Sequence, residues 1–125
     1  MKIYDCFMFF DEEMLLDLRL NIMNKYVDKF VITESTYMHS GKSKKLIFDI
    51  NKFPKFKDKI IYIVVNEPPS DLINIEDNDS FNEKQNKMIN NAKKREMYQI
   101  NKTQDGIIDA DQDDIIIISD IDEIP

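Results

Sequence analysis

The chain has 125 residues, is 42% hydrophobic and 33% charged, and carries a net charge of −7 with a single cysteine. That length suffices for one domain with a real core. The acidic balance argues against nucleic acid or an anionic membrane as the main partner, and the lone Cys6 excludes an intrachain disulfide. The apolar runs fall well short of the ~20 residues that a membrane span needs. Asp5 interrupts the first of them too early for a signal peptide. A cytoplasmic protein is therefore expected.

Ile3 to Phe10 is aromatic and aliphatic and is predicted as the first strand. Asp5 interrupts it and is expected to face either a ligand edge or a buried partner. Asp11 is placed to cap the following helix, with Glu12 and Glu13 in a first turn whose dipole favours acids. Met14, Leu15, Leu18, Ile22 and Tyr26 form the predicted core stripe of that helix, widened by Leu16, Leu20 and Met23. Arg19 lies among these apolar residues and is assigned to a salt bridge at the surface or core edge. The helix is predicted to end near Val27 and Asp28.

Lys29 to Thr33 is the second predicted strand, followed by the polar residues Glu34, Ser35 and Thr36. Tyr37 to Lys45 is a basic loop. It holds Gly41, one of two glycines, and His39, the only histidine. The glycine implies a specific backbone need, and the histidine is read as a packing or hydrogen-bonding residue. Lys42, Lys44 and Lys45 would offset phosphate charge or simply be solvated. Pro54 argues against a long helix between Phe48 and Lys59. Ile60 to Val65 is the third strand, and the polar stretch to Ser80 is predicted as a mobile loop. Phe81 to Gln104 lacks proline and glycine and is predicted as one or two helices, with Gly106 near a C-cap.

Ile115 to Ile118 is four consecutive isoleucines, predicted as a fourth strand buried on both faces. The alternation of strands and helices predicts an α/β fold with a mostly parallel sheet. Right-handed crossovers give the strand order 3-2-1-4, with the topological switch between the first and fourth strands. Ligands of open α/β sheets bind at the carboxyl ends of strands beside such a switch. Asp120 and Asp122 follow the fourth strand there. If strand geometry persists through them, the two carboxylates point the same way. Paired carboxylates are hard-oxygen ligands suited to Mg²⁺ or Mn²⁺. Acids after a strand also serve turns and caps, so the pair alone leaves both readings open.

Four segments together resemble a known family. They are Ile3-Tyr4-Asp5-Cys6-Phe7-Met8-Phe9-Phe10-Asp11-Glu12 with Leu15-Leu16 and Arg19-Leu20, then Val27 to Ser35 followed by His39-Ser40-Gly41-Lys42, then Phe56 to Ile61, and finally Asp113 to Pro125. In this order and spacing the chain resembles the amino-terminal part of glycosyltransferase family 17, the β-1,4-mannosyl-glycoprotein β-1,4-N-acetylglucosaminyltransferase-like enzymes of GT-A type. The resemblance implies a Rossmann-like nucleotide-sugar-binding half. It implies an inverting, metal-dependent transfer of GlcNAc from UDP-GlcNAc to a glycan or glycoprotein acceptor, such as a mannose of an N-glycan.

Under that resemblance Asp120-Ile121-Asp122 matches the D-x-D motif. Asp122 becomes the direct ligand of Mn²⁺ or Mg²⁺, and Asp120 the ribose or water-mediated partner. Asp5 and Glu34 are expected near the nucleotide. His39-Ser40-Gly41-Lys42 matches a family signature with no assigned chemistry. Family members often carry an arginine near the positions of Gln99 and Ile100, and Arg95 is the nearest basic residue here. Family members continue well past this point, so the expectation is one domain over residues 1–125, truncated after the D-x-D motif. It would hold the donor site, with the general base beyond Pro125 and none of the catalytic residues inside. The missing anchor suits a bacterial or viral source. Two other readings stand beside this one. A haloacid-dehalogenase-like phosphatase also places Asp-x-Asp after an apolar strand, but needs Thr and Lys elements downstream. A non-catalytic remnant or interaction module needs no donor site at all.

Overall fold

In a computed structural model covering residues 1–125, the order is β1 (Ile3–Met8), α1 (Glu13–Met23), β2 (Lys29–Ser35), β3 (Ile60–Val65), α2 (Phe81–Asn101) and β4 (Ile115–Ile118). The strands form one sheet in the order β3-β2-β1-β4, and every pairing is parallel. This is the predicted α/β topology. β-branched runs separated by helices leave few alternatives once crossovers are right-handed. Two short 3₁₀ turns, Ile50–Lys52 and Pro54–Phe56, occupy the proline-containing segment, where no long helix was predicted. No helix is long and apolar enough to cross a membrane.

One face of the sheet packs Phe7, Phe9, Phe30 and Ile32 against Leu16, Leu20 and Met23 of α1, with Phe53, Phe56 and Ile121 closing the cluster. The other face packs Tyr4, Cys6 and Val31 against Ile107 and Ala110. Cys6 is part of that core. Burial, and then the neighbouring Asp5 carboxylate, pushes its thiol up to about 12, so it remains the inert protonated form.

Several expectations change. The buried stripe of α1 is Leu16, Leu20 and Met23, which were expected to widen the core stripe, together with Arg19, whereas Met14, Leu18, Ile22 and Tyr26 are exposed, Met14 by 87%. Both stripes have helical spacing, and the burial of a charged residue selects between them. The helix also starts without a side-chain cap from Asp11; Glu12 Oε1 instead accepts from the backbone N–H groups of Phe10 and Asp11 at 2.9 and 2.7 Å. β4 lies at the sheet edge and is only half covered, with Ile118 55% exposed, rather than buried on both faces.

Gly106 does not cap α2. It closes a 3₁₀ segment, Lys102–Gly106, that lies against β2. A Cβ at this position would sit 2.5 Å from Val31 Cγ1, so close backbone approach is its reason. α2 begins at Ser80, whose Oγ accepts from Glu83 N–H at 3.1 Å. The polar segment before it is tied down at Ile73. Asn91 accepts from its N–H at 2.7 Å and donates to its carbonyl at 2.8 Å.

Candidate nucleotide-sugar site

A cavity of about 610 Å³ opens at the carboxyl ends of β1, β2 and β4. One wall is apolar, with Phe9, Phe10, Leu15, Met38 and Ile121. The polar lining comes from the turn after β4 with Asp120 and Asp122, from Ser35 at the end of β2 and the following loop with Tyr37, His39, Ser40 and Lys44, and from Glu12 just before α1. Glu96 and Gln99 of α2 complete it. An apolar pocket with convergent polar groups at a topological switch has the general form of a small-molecule site.

The strand does not continue through the two aspartates. β4 stops at Ile118, and Glu123 N–H donates to the Asp120 carbonyl at 2.9 Å to close a turn. Ile121 is buried in the core, while Asp120 and Asp122 on either side are exposed and line the cavity. The anchoring of Ile121 thus does what extended geometry was expected to do.

Arg19 holds this turn. Its Nε and Nη2 donate to both oxygens of Asp5, at 2.9 and 2.6 Å. Nη2 also donates to Ser119 Oγ at 2.7 Å, and Nη1 donates to the carbonyls of Asp120 and Glu123. Every N–H of the guanidinium is used, and its Cζ lies 4.5 Å over the Phe7 ring. Both side chains of the pair are fully buried. The fork geometry of arginine suits a bidentate carboxylate and two divergent carbonyls at once, which lysine cannot match. Arg19 therefore does form the expected salt bridge, and it lies inside the core rather than at the surface or core edge.

Glu34 has a parallel role. It accepts from Lys44 Nζ, from Tyr62 O–H at 2.6 Å, and from the N–H groups of Ile47 and Phe48 at 2.7 and 3.1 Å. Burial by itself would raise its carboxyl, but the hydrogen bonds from Lys44, Tyr62, Ile47 and Phe48 outweigh it and hold the group below its ordinary value. The structure brings Asp120 and Asp122 to the cavity and leaves Asp5 and Glu34 outside its lining. Both of the latter are engaged with internal partners.

The loop after β2 is shaped by Gly41, which has φ of +94°. A Cβ there would also meet the Arg95 guanidinium at 2.8 Å, and Arg95 Nη1 donates to the His39 carbonyl at 2.8 Å. Gln99, buried on α2, donates to the Thr33 carbonyl at 3.0 Å and contacts His39 Nε2 at 3.3 Å. Sequence reasoning did not place Ser35, Glu96 and Gln99 in this wall, nor Arg95 behind it. The lone Gly41 in a polar loop was the available signal; its partner lies on a distant helix.

The donor set fits a divalent cation. It is all carboxylate oxygen, which is hard-ion chemistry. Partial desolvation, followed by the charges of Glu123, Asp122 and Glu96, raises the Asp120 carboxyl above its ordinary value, and those neighbouring charges are what a cation would offset. No three acidic, imidazole or thiol groups already stand in ligating geometry. An ion of the Mg²⁺ class is commonly held by one or two carboxylates and completed by a ligand's phosphates.

No curated protein and no solved structure matches the chain. The sequence profile described as Glycosyltransferase family 17 matches residues 1–125, its full length. The fold with its strand-end cavity and the match over every element agree, and the chain belongs to glycosyltransferase family 17.

Proposed function

We propose that this chain binds a nucleoside-diphosphate sugar, UDP-GlcNAc, through a divalent cation held by Asp122 and Asp120, for transfer of GlcNAc to a glycan acceptor such as a mannose of an N-glycan. The observation that carries this reading is the convergence of Asp120 and Asp122 on a strand-end cavity in a chain of this family. Asp122 would be the direct metal ligand, and Asp120 the ribose or water-mediated partner. A bound Mn²⁺ or Mg²⁺ supplies charge neutralisation for the departing diphosphate. Arg19 presents the two carboxylates by fixing the backbone between them. The apolar wall of Phe9, Phe10, Leu15 and Met38 covers the flat and non-polar parts of the ligand and excludes water around it.

The test is calorimetric titration of UDP-GlcNAc with and without Mn²⁺. Metal-dependent binding is expected, and Asp122→Ala should abolish it. Undiminished metal-dependent binding by that variant would overturn the assignment.

A further inference from the structure

Two residues of the cavity lining, Ser35 and His39, each carry a polar atom without a partner in the chain. Ser35 Oγ is buried, with the residue 3% exposed, and makes no hydrogen bond. Unpaired buried hydroxyls are uncommon in folded proteins because burial removes their water without replacing it. Thr33 Oγ1 is also unpaired but does not line the cavity, whereas Ser35 does.

The second atom is set by a chain of hydrogen bonds. The Thr33 carbonyl accepts from Gln99 Nε2 at 3.0 Å, which fixes the orientation of that amide. Gln99 Oε1 then faces His39 Nε2 at 3.3 Å. An amide oxygen only accepts, so Nε2 carries the ring proton. In that tautomer Nδ1 is left as a lone-pair acceptor, and it makes no hydrogen bond within the chain. Arg95 holds the His39 carbonyl and fills the space above Gly41, so the ring is placed as well as oriented.

We propose that His39 Nδ1 and Ser35 Oγ form a polar subsite for one edge of the nucleotide sugar, with a ligand N–H or O–H donating to Nδ1 and a neighbouring polar group pairing with the serine hydroxyl. Gln99 and Arg95 are positioning residues for this subsite. The inference rests on the nucleotide-sugar reading above. β2 and β4 flank β1 about 10 Å apart across the sheet at the usual strand spacing, and their ends are staggered, because Cys6 pairs with both Val31 and Ile118 while β2 runs on to Ser35. The subsite and the aspartates are therefore separated like the two ends of an extended ligand. The donated hydrogen belongs either to the nucleoside or to the transferred sugar.

The experiment titrates UDP and UDP-GlcNAc, each with Mn²⁺, into the unmodified chain and into His39→Gln and Ser35→Ala. Glutamine at position 39 can keep an amide N–H toward Gln99 while removing the Nδ1 acceptor. Each variant should bind UDP-GlcNAc about tenfold more weakly. Equal weakening toward UDP assigns the donated hydrogen to the nucleoside, and weakening confined to UDP-GlcNAc assigns it to the sugar. If both variants bind like the unmodified chain while Asp122→Ala does not bind, the subsite is wrong and the metal reading stands. If the unmodified chain shows no metal-dependent binding, the reading fails and the subsite falls with it. Nitrogen-15 NMR of the sole histidine gives an independent readout. The Nε2–H tautomer is expected, and Gln99→Leu should erode it. An Nδ1–H tautomer in the unmodified chain would overturn the inference even if nucleotide binds.

Discussion

The turn bearing Asp120 and Asp122 and the loop bearing His39 line the same cavity, yet they are held by different means. The turn depends on one buried side chain. Arg19 reaches from α1 to Asp5, Ser119, Asp120 and Glu123 and uses all its donors in doing so. The loop depends on several weaker restraints: Glu34 beneath it, Arg95 and Gln99 beside it, and the glycine conformation at its tip. Concentrated support fails as a unit, whereas distributed support fails by degrees. In both places a buried carboxylate on a strand helps to order backbone that presents other groups to the cavity.

This contrast is broken most sharply at Arg19. Arg19→Met would leave Asp5 buried without a counter-charge and should destabilise the fold by about 3–5 kcal/mol. Urea unfolding measures this. The double replacement Asp5→Leu with Arg19→Met should recover most of that stability, because the uncompensated charge is gone. It should not recover Mn²⁺-dependent donor binding, because the carbonyls of Asp120 and Glu123 still lack their donor. Recovered binding in the double variant would show that Arg19 is needed for folding alone.

Next comes Glu34→Gln, which weakens one restraint of the loop. A loss of about 1–3 kcal/mol is expected from imperfectly paired buried groups. The pH dependence sharpens the point. The folded-state carboxyl lies below its ordinary value of 4.5. Its contribution is therefore complete above that value and is lost as pH falls through the lower folded one. Acid unfolding curves of the unmodified chain should show this loss, and those of Glu34→Gln should lack it.

Gly41→Ala should cost about 1–2 kcal/mol from the left-handed backbone alone. It should also displace Arg95, since the added Cβ would lie 2.8 Å from the guanidinium. The chemical shifts of His39 should move while those of the Asp120 turn stay, which tests the independence of the two walls. The smallest effect is expected at Met14, which is 87% exposed on the outer face of α1. Met14→Lys should change stability by no more than about 0.5 kcal/mol. A large loss there would restore the stripe that the sequence suggested.

That misread stripe shows where sequence reasoning ran out. Met14, Leu18 and Ile22 are more apolar than Arg19, so a hydrophobicity pattern selects their face. Arginine is buried only because Asp5 and a turn about a hundred residues later meet it there. Asp5 and Glu34 present the same difficulty. Each is a carboxylate on a strand, and a ligand edge and an internal partner look alike until the neighbouring elements are in place. The isoleucines of β4 marked a strand correctly, but their burial depended on what lies beside it, and β4 is at the edge.

The sequence alone determined the alternation of elements, the parallel sheet in the order 3-2-1-4, and the position of Asp120 and Asp122 at a strand end beside the switch point. These follow from local apolar runs, helix-forming stretches and the handedness of crossovers, all carried by neighbouring residues. Only the tertiary structure decided which face of α1 is buried, which acids are exposed, and that Gln99 meets the His39 ring. Each of those depends on side chains far apart in the chain, whose pairing exists only when the layers have packed.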